Sequence, residues 1–172
     1  VLLVDDEEDV IHVIMKKINW EGLGFSVIGY ANNGVKALEM VEEYQPDVVM
    51  TDIKMPYMDG LTLSRKLKEL YRTVKIIIFS GFDEFEYAKE AIQIEVEEYI
   101  LKPIDAGNLK EVFGRIHEKI GREMDEKRNV DKLREYYMES LPNLQENFNT
   151  SLIDGRIPEG EVEKYLSNYQ ID

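Results

Sequence analysis

The chain has 172 residues, of which 44% are hydrophobic and 33% are charged, a balance typical of folded globular proteins. Its 21 Lys and Arg and 35 Asp and Glu leave a formal net charge of −14, which disfavours direct binding to nucleic acid or to an anionic membrane. The absence of cysteine excludes disulfides and thiolate zinc sites.

Five short apolar runs, separated by segments with helical periodicity, occupy the first two thirds of the chain. Their spacing of roughly 20–25 residues is that of one strand followed by one helix. The runs are apolar almost throughout, which indicates strands that are covered on both faces. We therefore predict an α/β fold, a doubly wound five-stranded parallel sheet of flavodoxin-like kind. The predicted strands are Val1–Val4, Phe25–Tyr30, Val48–Thr51, Val74–Phe79 and Tyr99–Leu101.

The last third of the chain has only helical patterns. No proline interrupts residues 107–139, which predicts a long helix, and apolar residues recur every three or four positions over Val130–Leu141. Leu141-Pro142 is predicted to end this helix, and two short helices are predicted at Asn143–Ile153 and Glu161–Tyr169.

These patterns predict three segments. Residues 1–120 form the α/β domain, residues 121–141 form a linker helix, and residues 142–172 begin a second helical domain that is truncated here. The first residue is Val1 rather than Met, and neither a signal peptide nor a long apolar run is present. We therefore expect a cytoplasmic piece of a longer protein.

Polar side chains stand where four of the five predicted strands end. Asp5 and Asp6 follow the first strand, Asp52 the third, Ser80 the fourth and Lys102 the fifth. The carboxyl ends of parallel strands meet at one edge of a sheet, so we expect these side chains to converge there. Ligands that are all oxygen atoms favour Mg²⁺ over zinc. Together with an ammonium and a hydroxyl group, they suit the binding of a phosphoryl group.

Four blocks of this sequence resemble the receiver domain of two-component response regulators. The resemblance covers about residues 1–120, and its most specific part is the Asp-x-x-Met-Pro-x-Met-Asp-Gly stretch of Asp52–Gly60. Ser80–Ala88, together with Leu152–Gly155, is similar to the branch whose output domain is an AraC-type helix-turn-helix. The four blocks are Val4–Glu7, Pro46–Gly60, Ser80-Gly81 and Tyr99–Pro103.

The resemblance implies a role for each matching residue. Asp52 would be the phosphoacceptor for a sensor histidine kinase. Asp6, Asp52 and the backbone carbonyl of Lys54 would bind Mg²⁺, and Asp5 would do so directly or through water. Lys102 would pair with the phosphoryl group and hold the acids when that group is absent.

The resemblance also implies a switch. Ser80 would move to bond a phosphoryl oxygen, and Tyr99 would follow it inward, changing the face made by the fourth helix, fifth strand and fifth helix. The Lys102-Pro103 peptide would be cis, and Phe82 would flank the path of the hydrolytic water.

Phosphorylation is then expected to promote a symmetric dimer, through the face beside Tyr99 and along the helix beyond Gly107. DNA would be bound only by a downstream domain absent from this chain, no membrane partner is expected, and the domain would not be a turnover enzyme. One alternative is a Mg²⁺-dependent aspartyl-phosphate phosphatase, although Lys54 stands two residues after Asp52 where that class has a second Asp. The other alternative is an interaction module that works without phosphorylation.

Overall fold

The computed structural model describes residues 1–81 and 85–169. Within it the chain divides into two compact units, Val1–Lys119 and Ile120–Asp172. The first unit contains a five-stranded sheet in which every neighbouring pair of strands is parallel, in the order β2-β1-β3-β4-β5. The predicted doubly wound α/β fold is therefore confirmed. The strands are β1 (Leu2–Val4), β2 (Gly29–Ala31), β3 (Val48–Asp52), β4 (Lys75–Ser80) and β5 (Glu98–Leu101).

Helices connect successive strands and continue after the last one. Short 3-10 turns lie at Glu21–Leu23 and Glu159–Glu161. No helix in residues 1–81 and 85–169 has the length and apolar character needed to cross a membrane. The helices are α1 (Glu8–Lys17), α2 (Gly34–Tyr44), α3 (Gly60–Leu70), α4 (Phe85–Ile94), α5 (Ala106–Ile153) and α6 (Val162–Asn168).

The three central strands β1, β3 and β4 are buried along their whole length, which explains why their sequences are mostly apolar. Val4, Val49 and Ile76 belong to a cluster of buried residues that includes Leu63 and Leu67 of α3. Side chains alternate along a strand, so their fully buried neighbours Leu3, Met50 and Ile77 point to the opposite face.

Polar caps set the starts of three helices where the sequence places Asn or Asp. The side chain of Asn33 accepts from the Lys36 N–H at 2.9 Å, and that of Asp59 accepts from the Thr62 N–H at 2.7 Å. Asp105 accepts from the Asn108 N–H at 2.8 Å. Each cap satisfies a backbone donor that the first helical turn leaves without a partner.

The second strand is shorter than predicted, because β2 begins at Gly29 and not at Phe25. The N–H of Phe25 donates to the Trp20 carbonyl at 3.0 Å, so it closes a loop instead of joining the sheet. The Phe25 ring lies 5.3 Å from that of Phe113 and 5.7 Å from that of His117. An apolar run that packs on a helix thus looks like a strand in the sequence.

The predicted helix end at Leu141-Pro142 is wrong, because α5 continues through Pro142 to Ile153. A proline inside a helix removes one N–H donor and crowds the preceding turn. Tertiary contacts offset that cost, since Leu141 and Phe148 are buried on either side of the proline. In addition, Tyr137 Oη donates to the Asn168 carbonyl at 2.6 Å. The division into residues 1–120, 121–141 and 142–172 stays a prediction.

Candidate functional site

Three of the expected side chains meet at the carboxyl edge of the sheet. Asp5 directly follows β1, Asp52 is the last residue of β3, and Lys102 directly follows β5. The Nζ of Lys102 lies 3.1 Å from Asp5 Oδ2 and 3.0 Å from Asp52 Oδ1. Asp5 is fully buried and Asp52 is 7% exposed. One ammonium group therefore bridges two carboxylates that have almost no access to water.

Burial and charge act against each other at this site. Burial raises the pKa of Asp52 above its usual range, although the hydrogen bond and charge of Lys102 act to lower it. Burial would lower the pKa of Lys102, but its hydrogen bonds and charge interactions with Asp52 and Asp5 outweigh burial, and the pKa is raised. The cation is thus held firmly, while the negative charge on Asp52 is costly. A cation that approaches Asp52 would relieve that cost.

Backbone groups hold both carboxylates in place. The Glu7 N–H donates to Asp5 Oδ1 at 2.8 Å, and the Lys54 N–H donates to Asp52 Oδ2 at 3.0 Å. Gly60 packs so closely on β3 that a Cβ there would overlap the carbonyl oxygen of Asp52. The Gly60 N–H donates to the Ile53 carbonyl at 2.9 Å, which closes the β3–α3 loop back onto the strand end.

Asp6 does not join the other two acids. Its side chain is exposed, and across residues 1–81 and 85–169 no three His, Asp or Glu side chains come together as a metal site. The role predicted for Asp6 as a metal ligand stays a prediction. The two buried carboxylates offer the oxygen ligands that a hard divalent ion such as Mg²⁺ prefers, and such an ion needs few protein ligands and keeps several waters.

The two residues that are expected to act as a switch, Ser80 and Tyr99, lie on β4 and β5. Ser80 is fully buried at the end of β4, and its carbonyl accepts from the Lys102 N–H at 2.7 Å. Tyr99 pairs with Ile78 in the sheet, and its half-buried ring packs against the core together with Tyr87. The Lys102-Pro103 peptide is cis, as predicted. Phe82 lies outside the described residues.

Two features of the β3–α3 loop were not predicted from the sequence. The close approach of Gly60 to Asp52 could have been suspected, because a glycine follows a helix-capping Asp59 within a specific motif. Tyr57 has a positive φ of 67° and is 91% exposed, and nothing in its residue type signals that conformation.

Comparisons with known proteins agree on one family. The family model described as the response regulator receiver domain matches residues 1–113. The chain is 48% identical over 103 residues to an uncharacterized transcriptional regulatory protein YesN of Bacillus subtilis, covering 60% of this chain and 28% of that protein. It is 37% identical over 116 residues to the transcriptional regulatory protein HptR of Staphylococcus aureus, covering 67% of this chain and 45% of that protein. The chain thus spans less than half the length of these curated relatives.

Solved structures show the same relationship. The REC domain of AraT, a response regulator from Geobacillus stearothermophilus, is 38% identical with a TM-score of 0.68, covering 72% of this chain and 95% of that one. A two component transcriptional regulator AraC from Clostridium phytofermentans is 32% identical with a TM-score of 0.65, covering 70% and 94%.

Proposed function

Because this chain belongs to the response regulator receiver domain family, we propose that Asp52 accepts a phosphoryl group from the phosphohistidine of a sensor histidine kinase. The observation that supports this most directly is the bridge from Asp5 through Lys102 to Asp52. It supplies a buried carboxylate at a strand end with a cation already beside it.

The transfer is a substitution at phosphorus. An Asp52 carboxylate oxygen attacks the phosphorus of the phosphohistidine, and the P–N bond breaks as the P–O bond forms. The electron pair of the broken bond stays on the imidazole nitrogen, which takes a proton from water. The product is an aspartyl phosphate, and the Lys102 ammonium and the Ser80 hydroxyl stand at the edge where its oxygens carry negative charge.

Asp5, Asp6, Asp52 and the Lys54 carbonyl are the groups we propose for Mg²⁺. When bound, the ion neutralises charge on the acceptor and on the transferred phosphoryl oxygens. The chain prepares this step with the raised pKa of Asp52, whose burial makes its negative charge costly without a further cation. Asp6 would bind the ion from the exposed side of the site, and Asp5 would act directly or through a bound water.

The output of the domain would be transcription. Two relatives are described as transcriptional regulatory proteins, and the match to this chain covers 28% and 45% of their lengths. We propose that Ser80 and Tyr99 transmit phosphorylation to a downstream DNA-binding domain of AraC type, that DNA contacts only that domain, and that the protein works in the cytoplasm. The receiver would carry one phosphoryl group as a signal and would not convert a substrate.

Mass spectrometry after incubation with Mg²⁺ and acetyl phosphate tests the acceptor. The wild-type chain should gain the mass of one phosphoryl group, and Asp52→Asn should gain none. Asp125→Asn is the matched control, because it removes an exposed carboxylate from the other unit. Labelling of Asp52→Asn at the wild-type level would contradict the proposal.

An NMR titration with Mg²⁺ tests the metal ligands. We expect weak, saturable binding that Asp52→Asn and Asp6→Ala both abolish, with Asp125→Asn unchanged. If Asp6→Ala binds like the wild type, Asp6 is not a ligand, and the ion is held by Asp5 and Asp52.

A phosphorylation-dependent homodimer is the second part of the proposal. Within the Ile120–Asp172 unit, α5 exposes an apolar stripe in which Val130, Leu133 and Met138 are 59%, 68% and 54% exposed. Such a stripe is what a paired helix would bury, and the face beside Tyr99 offers a second surface.

Sedimentation with and without beryllofluoride tests the dimer. The chain should be a monomer alone and a dimer with the phosphoryl mimic, and Leu133→Glu should block the dimer. A monomer in both states at tens of micromolar would contradict the phosphorylation-dependent dimer. The downstream domain would then be the partner that covers the apolar stripe. A dimer in both states would show that the helix and not Asp52 controls assembly.

A further inference from the structure

An apolar cleft lies between α1 and the segment that leads from β5 into α5. Its volume is about 310 Å³, at the lower end of the range for small-molecule sites. Ile14 and Leu109, which line it, are buried, whereas Val13 is 48% exposed. The first unit therefore leaves an aliphatic hollow open to solvent. The other apolar residues that line the hollow are Val10, Pro103, Ile104 and Ala106.

A second cleft, of about 380 Å³, adjoins the first, because Lys17 and Ala106 line both. Lys17 of α1 and Lys110 of α5 give this second cleft a positive charge, and no Asp or Glu is among the described residues that line it. Neither lysine forms an ion pair with another residue of the part of the chain that the structure describes. A chain with a net charge of −14 has an excess of carboxylates, so two such lysines on one cleft are a local exception.

The two clefts together have an acidic end and a basic end. Asp9, Val13 and Lys17 follow one another at four-residue intervals along α1, so they form a row on one face of the helix. Lys102 also lines the apolar part, but its Nζ is held by the two buried acids of the phosphorylation site. An anion would be attracted by the lysines at one end and repelled by Asp9 at the other, which fixes the direction in which a ligand lies.

We propose that the combined cleft binds a small amphipathic carboxylate. Its aliphatic chain would lie along the apolar part, and its carboxylate would lie between Lys17 and Lys110. The described residues that line the two clefts include no aromatic ring, so the site suits a flexible alkyl chain better than a planar ligand that stacks. Burial of the chain supplies most of the affinity, and the exposed lysines add a modest attraction that selects an anion.

The cleft shares a residue with the phosphorylation site. Lys102 lines the cleft, and its Nζ lies 3.0 Å from Asp52 Oδ1. A ligand that packs on the Lys102 side chain would bias the position of the amine that faces Asp52, and phosphorylation would in turn change the affinity for the ligand. This coupling rests on the phosphoacceptor role of Asp52, whereas the binding of the carboxylate does not.

Calorimetric and NMR titrations with straight-chain carboxylates, from hexanoate to dodecanoate and below their micelle concentrations, test the site. We expect one saturable site whose affinity rises with chain length until the cleft is filled, with shifts at the methyl groups of Val13 and Leu109. Decanoate should bind about threefold or more tightly than decanol, and decylamine should bind most weakly. Equal affinities for the three head groups would overturn the proposal. The absence of saturable binding would overturn it too, and a protein partner would then be the occupant of the cleft.

Paired variants separate the head group from the chain. Lys17→Gln combined with Lys110→Gln should weaken decanoate about tenfold and leave decanol within about twofold. Lys16→Gln combined with Lys66→Gln removes the same charge from exposed positions outside the clefts, and it should bind like the wild type. Equal effects of the two double variants would contradict the proposed position of the carboxylate.

Two further variants block the apolar part. Val13→Glu places a negative charge in the hollow, and Ala106→Phe fills the point where the clefts meet. Both positions are exposed, so both variants should fold, which thermal unfolding checks, and neither should bind decanoate. Binding of decanoate by both folded variants at the wild-type level would place the ligand elsewhere and overturn the proposal.

The coupling is measured with acetyl phosphate as the phosphodonor. Saturating decanoate should change the labelling rate of the wild type by at least about twofold and leave that of Val13→Glu unchanged. Equal rates with and without decanoate would overturn the coupling. Asp52→Asn should still bind decanoate within about threefold of the wild type, so binding is tested without phosphorylation. A wild-type chain that acetyl phosphate does not label would instead overturn the phosphoacceptor role of Asp52.

Discussion

Leucines in the two units of the chain have opposite environments although they follow the same helical spacing. Leu63 and Leu67 of α3 are fully buried under the sheet in the Val1–Lys119 unit. In the Ile120–Asp172 unit, Leu133 is 68% exposed and its neighbour Val130 is 59% exposed. Helical periodicity therefore indicates that a face is apolar, but it does not tell whether the same unit covers that face.

The second unit buries a small core of its own. Leu141 and Phe148 are nearly inaccessible, and the Phe148 ring lies 5.8 Å from that of Tyr165 and 5.9 Å from that of Tyr169. A cluster of this size stabilises one helix hairpin only. The first unit thus depends on a packed sheet, whereas the second depends on a few aromatic contacts and leaves most of its apolar stripe exposed.

The largest expected contrast comes from truncating one leucine in each unit. Leu67→Ala should lower the free energy of unfolding by about 2–5 kcal/mol, because it leaves a cavity in a packed core. Leu133→Ala should change it by less than about 0.5 kcal/mol at low micromolar concentration, because the side chain is already in solvent. Urea unfolding, followed by Trp20 fluorescence and by far-UV circular dichroism, measures the free energy of unfolding of both variants. A large loss of stability in Leu133→Ala would show that the apolar stripe is buried in solution.

Replacing a glycine by alanine is expected to have opposite effects on stability in the two units. Gly60→Ala should destabilise the first unit by about 1–3 kcal/mol, because the added Cβ overlaps the Asp52 carbonyl. Gly121→Ala, in a part of α5 where a Cβ meets nothing within 4 Å, should stabilise its helix by about 0.5–1 kcal/mol. Thermal unfolding of the two variants should shift in opposite directions. Equal shifts would mean that the β3–α3 loop can relax away from Asp52.

The burial of Asp52 predicts a pH dependence of stability in the first unit. Its folded pKa is raised by burial, so the folded state holds the proton more tightly than the unfolded state does. Stability from this group is present below the unfolded pKa of about 3.9 and is lost as pH rises through the folded pKa. Asp52→Asn should therefore gain stability relative to the wild type between about pH 4 and pH 7, measured by urea unfolding.

The control for this pH effect is Asp125→Asn, since Asp125 is exposed beside Arg128. Its unfolding free energy should follow that of the wild type across the same pH range. If Asp52→Asn loses stability relative to the wild type as pH rises, the hydrogen bond and charge of Lys102 affect the pKa of Asp52 more than burial does. The direction assigned to that pKa would then be wrong.

The smallest expected effect concerns ion pairs. Lys119 Nζ contacts both carboxylate oxygens of Glu97, at 2.9 and 2.7 Å, and the Glu97 side chain is only 15% exposed. Glu97→Gln should cost about 0.5–1 kcal/mol, whereas Asp125→Asn should cost less than about 0.3 kcal/mol. Raising the salt concentration should shrink the difference between the two variants. A difference that is independent of salt would indicate packing and not charge.

Local signals predicted much of the first unit. The strands β1, β3 and β4 lie within one residue of their predicted limits, because a strand covered on both faces must be apolar along its length. The caps Asn33, Asp59 and Asp105 are local in the same way, because each side chain accepts from a backbone N–H only three residues away. The start of β2 and the course of α5 through Pro142 were not, since each depends on partners distant from the local pattern, such as Phe113 and Asn168.

For the candidate site, the sequence alone determined which chemical groups stand at the strand ends, because the succession of strands and helices places Asp5, Asp52 and Lys102 there. Only the tertiary structure decided how closely Lys102 contacts the two buried acids, that Asp6 stays in solvent, and that Tyr57 has a positive φ and is exposed. The physical reason is the distance along the chain between the residues that interact. A strand or a cap is stabilised by residues a few positions away, whereas the bridge joins residues 97 positions apart and exists only after the sheet has brought the ends of β1, β3 and β5 together.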